Sequence, residues 1–493
     1  MELFKVRNGE RFALGAIPVL EYGEFSQQIT ELLSCEQNHC VNYFALASSL
    51  SGKWTLICCV ALDGSAEIAV SACRVEKGAK LASASASITA LERFEREIAE
   101  NTDITFEGHP WYKPVRTASD DYPLYHMEGE ELHEVGVGPI HAGVIEPGHF
   151  RFICCGEKIL HLEIMLGYQH RGVEKLFLQK KMLSQRALLA ESVAGDTAVG
   201  HSVAFAQAWE SLSGYVPSRR TQLERMLALE MERMAIHTGD LSAICGDVAY
   251  QLGSAVYGRL RTPLINFMQR WSGNRLGKSN VRPFANPYPF TSELAAQLKE
   301  TINAFERDFN EVSDHIKRFP SVLSRLERTG TVTYAQAVEI GAVGMAAKAS
   351  GLCRDLRTTH PYLAYSEINH EPVVKHHGDV YSRTQMRIAE VRQSMEYVHR
   401  IIGMLADEPL DGFSDVKDAL QPRSMVVSLS EGWRGEICHC ALTDAEGELR
   451  CYKIKDPSFH NWMALALAVR NNEISDFPIC NKSFNLSYCG HDL

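Results

Sequence analysis

Cysteine has the widest chemical repertoire in this sequence, because its thiolate binds soft metals and takes part in redox reactions. Zinc ribbons, thioredoxin-like sites and most iron–sulfur ligand sets contain a C-x-x-C pair. The 14 cysteines show no such pair and stand at positions 35, 40, 58, 59, 73, 154, 155, 245, 353, 438, 440, 451, 480 and 489. This spacing predicts reduced, mostly buried thiols in a cytoplasmic protein.

A second group of chemically capable residues consists of acids and bases within apolar helical sequence. Glu230, Arg233 and His237 are spaced i, i+3 and i+7, so that one face of a helix carries all three. Other candidate acids and bases follow downstream: Asp355 and Arg357 are predicted on a further helix, and Glu431 and Arg434 on the β-rich C-terminal part. A carboxyl buried among apolar residues must be paired or protonated, and a raised pKa suits proton relay. The alternative is a solvent-exposed face of surface salt bridges.

Composition excludes several functional classes. With 493 residues, the chain exceeds the ~250–300 residues of a single core, which predicts two or three domains. The 50 Lys and Arg against 61 Asp and Glu give a net charge of −11, which does not favour a nucleic-acid-binding protein. The longest apolar run covers 462–469, far short of the ~20 residues of a membrane span, and the N-terminus lacks the apolar core of a signal peptide. We therefore expect no direct membrane span.

Residue patterns indicate the order of elements. Strand-like stretches at 40–50, 54–62 and 65–75 predict a small antiparallel sheet, and 87–99 predicts a helix. The polar, acidic segment 113–138 is typical of an interdomain connection. Strands are predicted at 150–155 and 159–165, and helices at 176–212, 218–252, 257–271, 292–318 and 382–405. Residues 426–455 return to strand, with a hairpin turn at 444–447.

These elements predict an α+β protein with a small N-terminal α/β sandwich-like domain followed by a mainly α-helical bundle domain with peripheral β-hairpins. The predicted division is residues 1–125 for the first domain, 126–137 for a linker and 138–493 for the helical domain.

Seven separated motifs resemble one protein family in the same order along the chain. They are FEREIAENTDITFEGHPWYKPVR (94–116), GPIHAGVIEPGHFR (138–151), YQHRGVEK (168–175), LALEMERMAIHTGDLSAICGD (227–247), ASGLCRDLRTTHPYLAY (349–365), GDVYSRTQMRIAEVRQS (378–394) and EGWRGE (431–436). The chain resembles the fused peripheral subunit of energy-converting nickel–iron hydrogenases and the homologous quinone-site subunit of complex I. Its N-terminal part is similar to the smaller complex I arm subunit, and the remainder to the large catalytic subunit.

The resemblance places the family's metal ligands at residues that are not cysteine. In the hydrogenases, stretches of the form E-R-x-C-G-x-C-x-x-x-H and D-P-C-x-x-C hold nickel and iron. The matching stretches here are ESVAGDTAVGH (191–201) and DPSFHN (456–461), and the four ligand positions hold Ala194, Thr197, Ser458 and Asn461. Alanine offers no lone pair and the other three offer only neutral oxygens, so the resemblance implies no nickel–iron centre and no hydrogenase activity.

This sequence also departs from the pattern of the quinone site in the complex I branch. In that branch a histidine on the first hairpin turn and a tyrosine near the first bundle helix approach the quinone head group. The matching positions fall at Pro147 and about Gly195. His141, His149 and Asp196 are therefore the candidates for a rearranged quinone cavity.

The resemblance also assigns roles to ionisable residues. Glu191 matches the glutamate that begins proton transfer in the hydrogenases, and His201 lies on the same segment. The predicted proton-handling set is Glu191, His201, Glu230, Arg233, His237, Asp355 and Arg434.

The function implied is that of a large peripheral subunit of a membrane-anchored, ion-translocating oxidoreductase complex. The chain itself is expected to bind no cofactor, and a small iron–sulfur subunit is expected to carry the cluster. Other implied partners are membrane antiporter-like and anchor subunits, which place the chain in the cytoplasm at the inner membrane. Two alternatives remain open: a quinone-reducing subunit of a complex I-like NADH or ferredoxin dehydrogenase, and a structural scaffold without proton relay.

Overall fold

A computed structural model describes residues 3–48, 52–119, 121–141, 145–411 and 419–493. The N-terminal part contains the strands β1 (Lys5–Val6), β2 (Arg11–Ala13), β3 (Val19–Leu20), β4 (Asn38–Ala47), β5 (Lys53–Leu62), β6 (Glu67–Glu76), β7 (Lys80–Ala82) and β8 (Thr105–Glu107), with the helices α1 (Tyr22–Leu33) and α2 (Glu92–Asn101). The three long strands β4, β5 and β6 pair antiparallel, which confirms the predicted sheet. The helix predicted at 87–99 begins later, because short 3-10 turns occupy Ala84–Ala86 and Thr89–Leu91.

A three-stranded sheet in the order β11-β10-β9 opens the second part. Its strands are β9 (Leu132–Val137), β10 (His149–Cys155) and β11 (Lys158–Met165). The end of the predicted linker 126–137 is thus a strand, because 132–137 pairs along its whole length with β10. The turn residues 142–144 lie outside the described residues.

The helices that follow are α3 (Val173–Gln179), α4 (Leu183–Ala190), α5 (Ala198–Ser213), α6 (Arg219–Asp247), α7 (Gln251–Ser272), α8 (Ser292–Ile316), α9 (Pro320–Leu326), α10 (Tyr334–Glu339), α11 (Gly344–Ala349), α12 (Leu356–Thr359) and α13 (Val380–Ala406). The single helix predicted at 176–212 is wrong, since non-helical turns divide it into α3, α4 and α5. The helix predicted at 218–252 ends at Asp247, where Ala249 adopts a left-handed conformation with φ 58° and reverses the chain into α7. The helices predicted at 292–318 and 382–405 are confirmed as α8 and α13.

Helix α6 is the centre of the bundle and packs against α7 and α13. Ser218 begins it as an N-cap, accepting a hydrogen bond from the backbone N–H of Thr221 at 3.0 Å. Buried side chains occur on every face of α6. Since a helix buried all round must satisfy its charged residues internally, the acids and bases of α6 require partners on neighbouring elements.

The C-terminal part is a four-stranded antiparallel sheet in the order β14-β13-β12-β2, with three further helices. Its elements are β12 (Ser424–Glu431), β13 (Glu436–Thr443), β14 (Leu449–Lys455), α14 (Ser458–Ala468), α15 (Phe477–Phe484) and α16 (Tyr488–Asp492). Strands β12 and β13 are buried along their whole length and pack against α5, so this hairpin lies in the core and not at the periphery.

One N-terminal strand completes this C-terminal sheet. Phe12 of β2 lies opposite Met425 of β12, in an antiparallel pairing that joins the two ends of the chain. The predicted division at residue 125 stays a prediction. The α+β class is confirmed, since antiparallel sheets and a helical region together form the molecule.

Candidate functional site

The turn between α4 and α5 carries the first two positions that the predicted resemblance aligns with cysteine ligands. Ala194 is fully buried, and Thr197 is the N-cap residue of α5. The backbone N–H of Thr197 donates to the carbonyl oxygen of Ala194 at 3.0 Å, so one tight turn holds both residues. This turn is the interruption that divides the predicted helix.

The guanidinium of Arg434 lies against this turn. Arg434 is in the loop between β12 and β13, and its two terminal nitrogens each donate to one carboxylate oxygen of Asp196 at 2.6 Å. One of them also donates to the Thr197 hydroxyl at 3.0 Å, and the Trp433 ring centroid lies 3.9 Å from the guanidinium carbon. A permanent, buried cation therefore contacts a position that corresponds to a metal ligand.

Backbone groups form hydrogen bonds with the side chains at the second pair of ligand positions, Ser458 and Asn461. The Ser458 hydroxyl accepts from the N–H of Ser487 at 2.9 Å. The Asn461 amide exchanges hydrogen bonds with the backbone of Val343, accepting at 3.2 Å and donating at 3.1 Å. Neither residue has a soft ligand atom, and both use their oxygens within the fold, so these side chains do not fit a nickel–iron centre.

No group of three or more His, Cys, Asp or Glu in the described ranges could hold a metal ion. The cysteines of these ranges are all free, and Cys438 and Cys440 are the pair whose sulfur atoms approach to 3.7 Å. Burial is the main cause that raises the pKa of Cys438, which keeps this thiol protonated.

A hydrogen-bonded chain leads away from the second ligand segment. Asp456 and His201 are joined at 3.0 Å, His201 and His439 at 3.0 Å, and His439 and the Tyr452 hydroxyl at 2.7 Å. Burial lowers the pKa of His439 well below its usual value, so its ring is neutral and bridges one donor and one acceptor. Burial opposes the charge of Asp456, but its hydrogen bond and attraction to His201 outweigh this and lower its pKa to about 2.

A second, larger cluster of buried charges lies between α6, α11, α12, α13 and β12. Glu390 of α13 is its hub, because its carboxylate lies 2.7 Å from Lys348 Nζ and 2.9 Å from His237 Nε2. Arg233 approaches the same carboxylate at 3.6 Å. Glu230 and Arg233, which were predicted to share one helix face, form an ion pair at 3.4 Å. All of these side chains are buried.

The α12 residues complete the cluster. Asp355 caps α12 and accepts from Lys348 and from Arg357, each at 2.8 Å. Arg357 also reaches Glu230 at 3.4 Å. Burial opposes ionisation of Asp355, but Arg357 and Lys348 outweigh it and hold its pKa well below the usual range. Arginine and lysine thus ionise the acids that they contact directly.

Glu431 is the acid of the cluster that remains without a close cation. Its carboxylate lies 3.8 Å from Lys348 Nζ, one oxygen accepts from the backbone N–H of Leu356 at 3.1 Å, and the other has no hydrogen-bond partner. Burial, reinforced by the charge of Asp355, raises the pKa of Glu431 to about 8. Four carboxyls, those of Glu230, Asp355, Glu390 and Glu431, face three permanent cations, those of Arg233, Lys348 and Arg357. A proton on Glu431 makes the cluster neutral.

Helix α6 connects the charge cluster to the Arg434 turn. Arg233 donates to the carbonyl oxygens of Glu431 at 2.9 Å and Gly432 at 3.2 Å, at the start of the loop that carries Arg434. The neighbouring Glu232 accepts the N–H groups of Val199 at 2.8 Å and Gly200 at 3.2 Å in the first turn of α5. Burial raises the pKa of Glu232 to about 8 despite these two bonds.

Sequence reasoning missed Glu232, Lys348 and Glu390. The signal was present, because each is a charged residue within an apolar helical stretch. Glu191, which was predicted to handle protons, has no contact with this charge cluster among the described residues. Its carboxylate accepts from the N–H of Ser279 at 2.7 Å and pairs with Arg282.

A cavity of about 860 Å³ opens beside the same turn. His141 and Asp196 line it together with Arg434 and Tyr488, whereas His149 is not among its lining residues. Burial lowers the pKa of His141, so its ring is neutral near pH 7. The apolar part of the lining is formed by Val137, Ile145, Phe152, Ile474, Phe477, Pro478 and Leu486.

None of the helices within the described parts of the chain combines the length and apolar character that crossing a bilayer requires.

Comparison with known proteins shows which proteins this chain is similar to. Residues 253–424 match the family of the 49 kDa subunit of respiratory-chain NADH dehydrogenase. Formate hydrogenlyase subunit 5 of Escherichia coli is 26% identical over 382 residues, covering 76% of this chain and 65% of that protein. The chain thus spans just under two thirds of that relative's length.

Two further relatives cover both branches of the predicted resemblance. Membrane-bound hydrogenase subunit alpha of Pyrococcus furiosus is 25% identical over 366 residues, covering 71% of this chain and 85% of that protein. An NADH-quinone oxidoreductase subunit from Roseiflexus sp. is 26% identical over 375 residues, covering 73% of this chain and 98% of that protein. Residues 253–424 thus match the 49 kDa subunit family, and the relatives are consistent with the energy-converting hydrogenase and complex I family of membrane-bound oxidoreductase subunits.

Proposed function

We propose that this chain is a large peripheral subunit of a membrane-anchored, ion-translocating oxidoreductase complex that works without a nickel–iron centre. Electron transfer takes place in a partner iron–sulfur subunit, and this chain couples it to proton movement toward antiporter-like membrane subunits. The observation that carries the proposal is the buried cluster in which four carboxyls face three permanent cations, with the pKa of Glu431 at about 8. Such a carboxyl changes its protonation state near neutral pH.

The relatives support the coarse part of this proposal. Their names describe a membrane-bound hydrogenase and an NADH-quinone oxidoreductase. The substitution of all four metal-ligand positions argues against hydrogen chemistry in this chain, because Arg434 and Asp196 fill the turn with a salt bridge. The Arg434 loop adjoins Glu431, and Arg233 bonds both Glu431 and Gly432. A change of charge near Arg434 would therefore act on the Glu431 proton over a short distance.

Proton transport by the assembled complex tests the proposal. Glu431→Gln removes the exchangeable proton while keeping the size of the side chain, and we expect assembly and electron transfer to continue with proton transport lost. Glu446→Gln is the matched control, because Glu446 is an exposed acid on the neighbouring β13–β14 turn. Unchanged proton transport by the Glu431 variant would instead support a structural scaffold. The same assay applied to Glu191→Gln tests the role predicted for Glu191 from the resemblance.

Quinone reduction is a second candidate, favoured by the cavity of about 860 Å³ with a mostly apolar lining. A quinone would lie between the apolar walls, with the neutral ring of His141 and the hydroxyl of Tyr488 near its polar groups. The Tyr488 hydroxyl has no hydrogen-bond partner in the fold. If quinone binds there, quinone-dependent turnover falls on His141→Ala and persists on His149→Ala, which lies outside the lining. Equal activity of both variants would remove this candidate.

A further inference from the structure

A separate cavity of about 230 Å³ lies where the N-terminal helix α2 meets the C-terminal part of the chain. Helix α2, the segment 110–122, strand β11 and helix α14 all contribute to its lining. It takes no part in the charge cluster or the Arg434 turn.

The side chain of Arg93 lines this cavity and lacks a close carboxylate partner. Only 14% of the side chain is exposed, and its nearest carboxylate, that of Glu92, is 3.9 Å away and is itself bonded by Arg96. One terminal nitrogen donates to Nε2 of His491 at 3.0 Å, but burial lowers the pKa of His491 to about 4, so this partner is neutral. The Nε atom of Arg93 has no hydrogen-bond partner.

Other buried arginines, among them Arg233 and Arg354, also have an Nε without a hydrogen-bond partner, but Arg93 combines this with a place in a cavity wall and no carboxylate closer than 3.9 Å. Arg383, for comparison, donates to Ser483 and to the carbonyl oxygens of Gly378 and Gly330 at 2.7–2.8 Å, so its donors are satisfied within the fold. A buried guanidinium with an unused donor and no bonded anion carries a free-energy cost that an incoming anion removes. Burial is the main cause that lowers the pKa of Arg93 to about 10, helped by the charges of Arg96 and Arg116, and this value leaves it charged at neutral pH.

The rest of the lining indicates the kind of anion. Arg96 and Arg470 add positive charge, and Nε2 of His161 is a second buried nitrogen without a hydrogen-bond partner. Trp111 and Tyr122 add aromatic faces. Further apolar walls come from Val115, Leu162, Ile164, Leu166, Met463 and Ala466. Two carboxylates, those of Glu92 and Glu163, also line the cavity, and each is paired with another cation, Arg96 and Lys113 respectively. The cavity therefore offers Arg93 as a cation without a closely paired acid, beside aromatic and apolar walls.

We propose that this cavity binds a small organic carboxylate whose carboxylate group pairs with Arg93 and whose apolar body packs against Trp111 and Tyr122. At about 30 Å³ for each water molecule, the volume corresponds to about eight waters, which suits a ligand of the size of benzoate. An Arg–carboxylate pair in a desolvated site is strong and geometrically specific. This site is independent of the proposed proton coupling.

Titration calorimetry of the full chain with sodium benzoate tests the proposal, with inorganic phosphate as a second probe. We expect benzoate to bind, and Arg93→Gln to weaken binding about tenfold or more. The control is Arg259→Gln, which changes an exposed arginine that pairs with Asp308 and should bind as the wild type does. Absence of benzoate binding, equal binding by Arg93→Gln, or preference for phosphate would each overturn it.

The melting temperature without ligand separates this role from a structural one. Arg93→Gln removes an uncompensated buried charge, so the ligand-free variant should melt no lower than the wild type, and benzoate should raise the melting temperature of the wild type alone. A clear loss of stability in the ligand-free variant would show that the fold itself satisfies Arg93, which contradicts the proposal.

Discussion

Replacing Glu431 with glutamine changes the pH dependence of stability in a direction that the structure determines. Glu431 is 1% exposed, and its pKa is raised to about 8 chiefly by burial. Glutamine has the shape of the protonated acid. Below about pH 4, where folded and unfolded chains both hold this proton, we expect the variant to differ from the wild type by less than about 1 kcal/mol.

The difference grows as the pH rises. Between the ordinary value of 4.5 and about 8, the folded wild type holds one proton that the unfolded chain has released. Stability then falls with increasing pH, at about 1.4 kcal/mol for each pH unit. Over the whole interval this loss is of the order of 5 kcal/mol, and it is complete once the pH exceeds the folded pKa. The glutamine variant lacks this loss, so it should become the more stable protein at alkaline pH.

Calorimetric melting temperatures of the wild type, Glu431→Gln and the control Glu446→Gln, measured from about pH 5 to about pH 9, reveal this difference. Infrared spectroscopy gives a second reading: protonated carboxyl absorption from Glu431 and Glu232 should titrate near pH 8, and Glu431→Gln should remove the contribution of Glu431 while that of Glu232 remains. In Glu390→Gln three carboxyls remain for three cations, so the Glu431 titration should move to lower pH. A melting-temperature difference that stays constant with pH would refute the assignment of the proton to Glu431.

Two further variants test other buried charges. Asp196→Asn leaves Arg434 without its carboxylate. Because the Asp196 side chain is 34% exposed, we expect the free energy of unfolding in denaturant to fall by about 2 kcal/mol, less than the ~3–5 kcal/mol of a fully buried pair. An unchanged free energy of unfolding would contradict the importance of this salt bridge. His39→Gln tests a buried histidine. Burial opposes its charge, but attraction to Glu436 and Asp63 outweighs burial and raises the pKa of His39 to about 9. The wild type should be more stable than the variant by the largest margin below about pH 6.5, and this margin should disappear as the pH rises through 9. An advantage that grows with pH would show that His39 is neutral in the fold.

Local patterns in the sequence predicted the elements that depend on neighbouring residues. The sheet of β4, β5 and β6 follows from short stretches rich in β-branched or aromatic residues and from turns at Gly52 and Gly64. The stripe of Glu230, Arg233 and His237 follows from helical spacing. The prediction that Asp355 lies near these residues came from the family resemblance and not from local spacing.

Other features depend on contacts between distant segments, which a single sequence does not contain. The pairing of β2 with β12 joins residues more than 400 positions apart, and neither strand specifies the other. Lys348 and Glu390 each lie in apolar helical sequence, but their mutual contact depends on how α11 meets α13. The pattern at 191–197 predicts continuous helix because its residues are compatible with helical periodicity, whereas the salt bridge from Arg434 favours the turn.

The metal content of the purified chain tests the central claim most directly, since the account depends on Ala194, Thr197, Ser458 and Asn461 standing at the positions that the resemblance aligns with nickel–iron ligands. We predict nickel far below one atom per chain in protein purified from its native complex, with any iron accounted for by partner subunits. Nickel and iron bound to this chain in stoichiometric amounts would contradict the account.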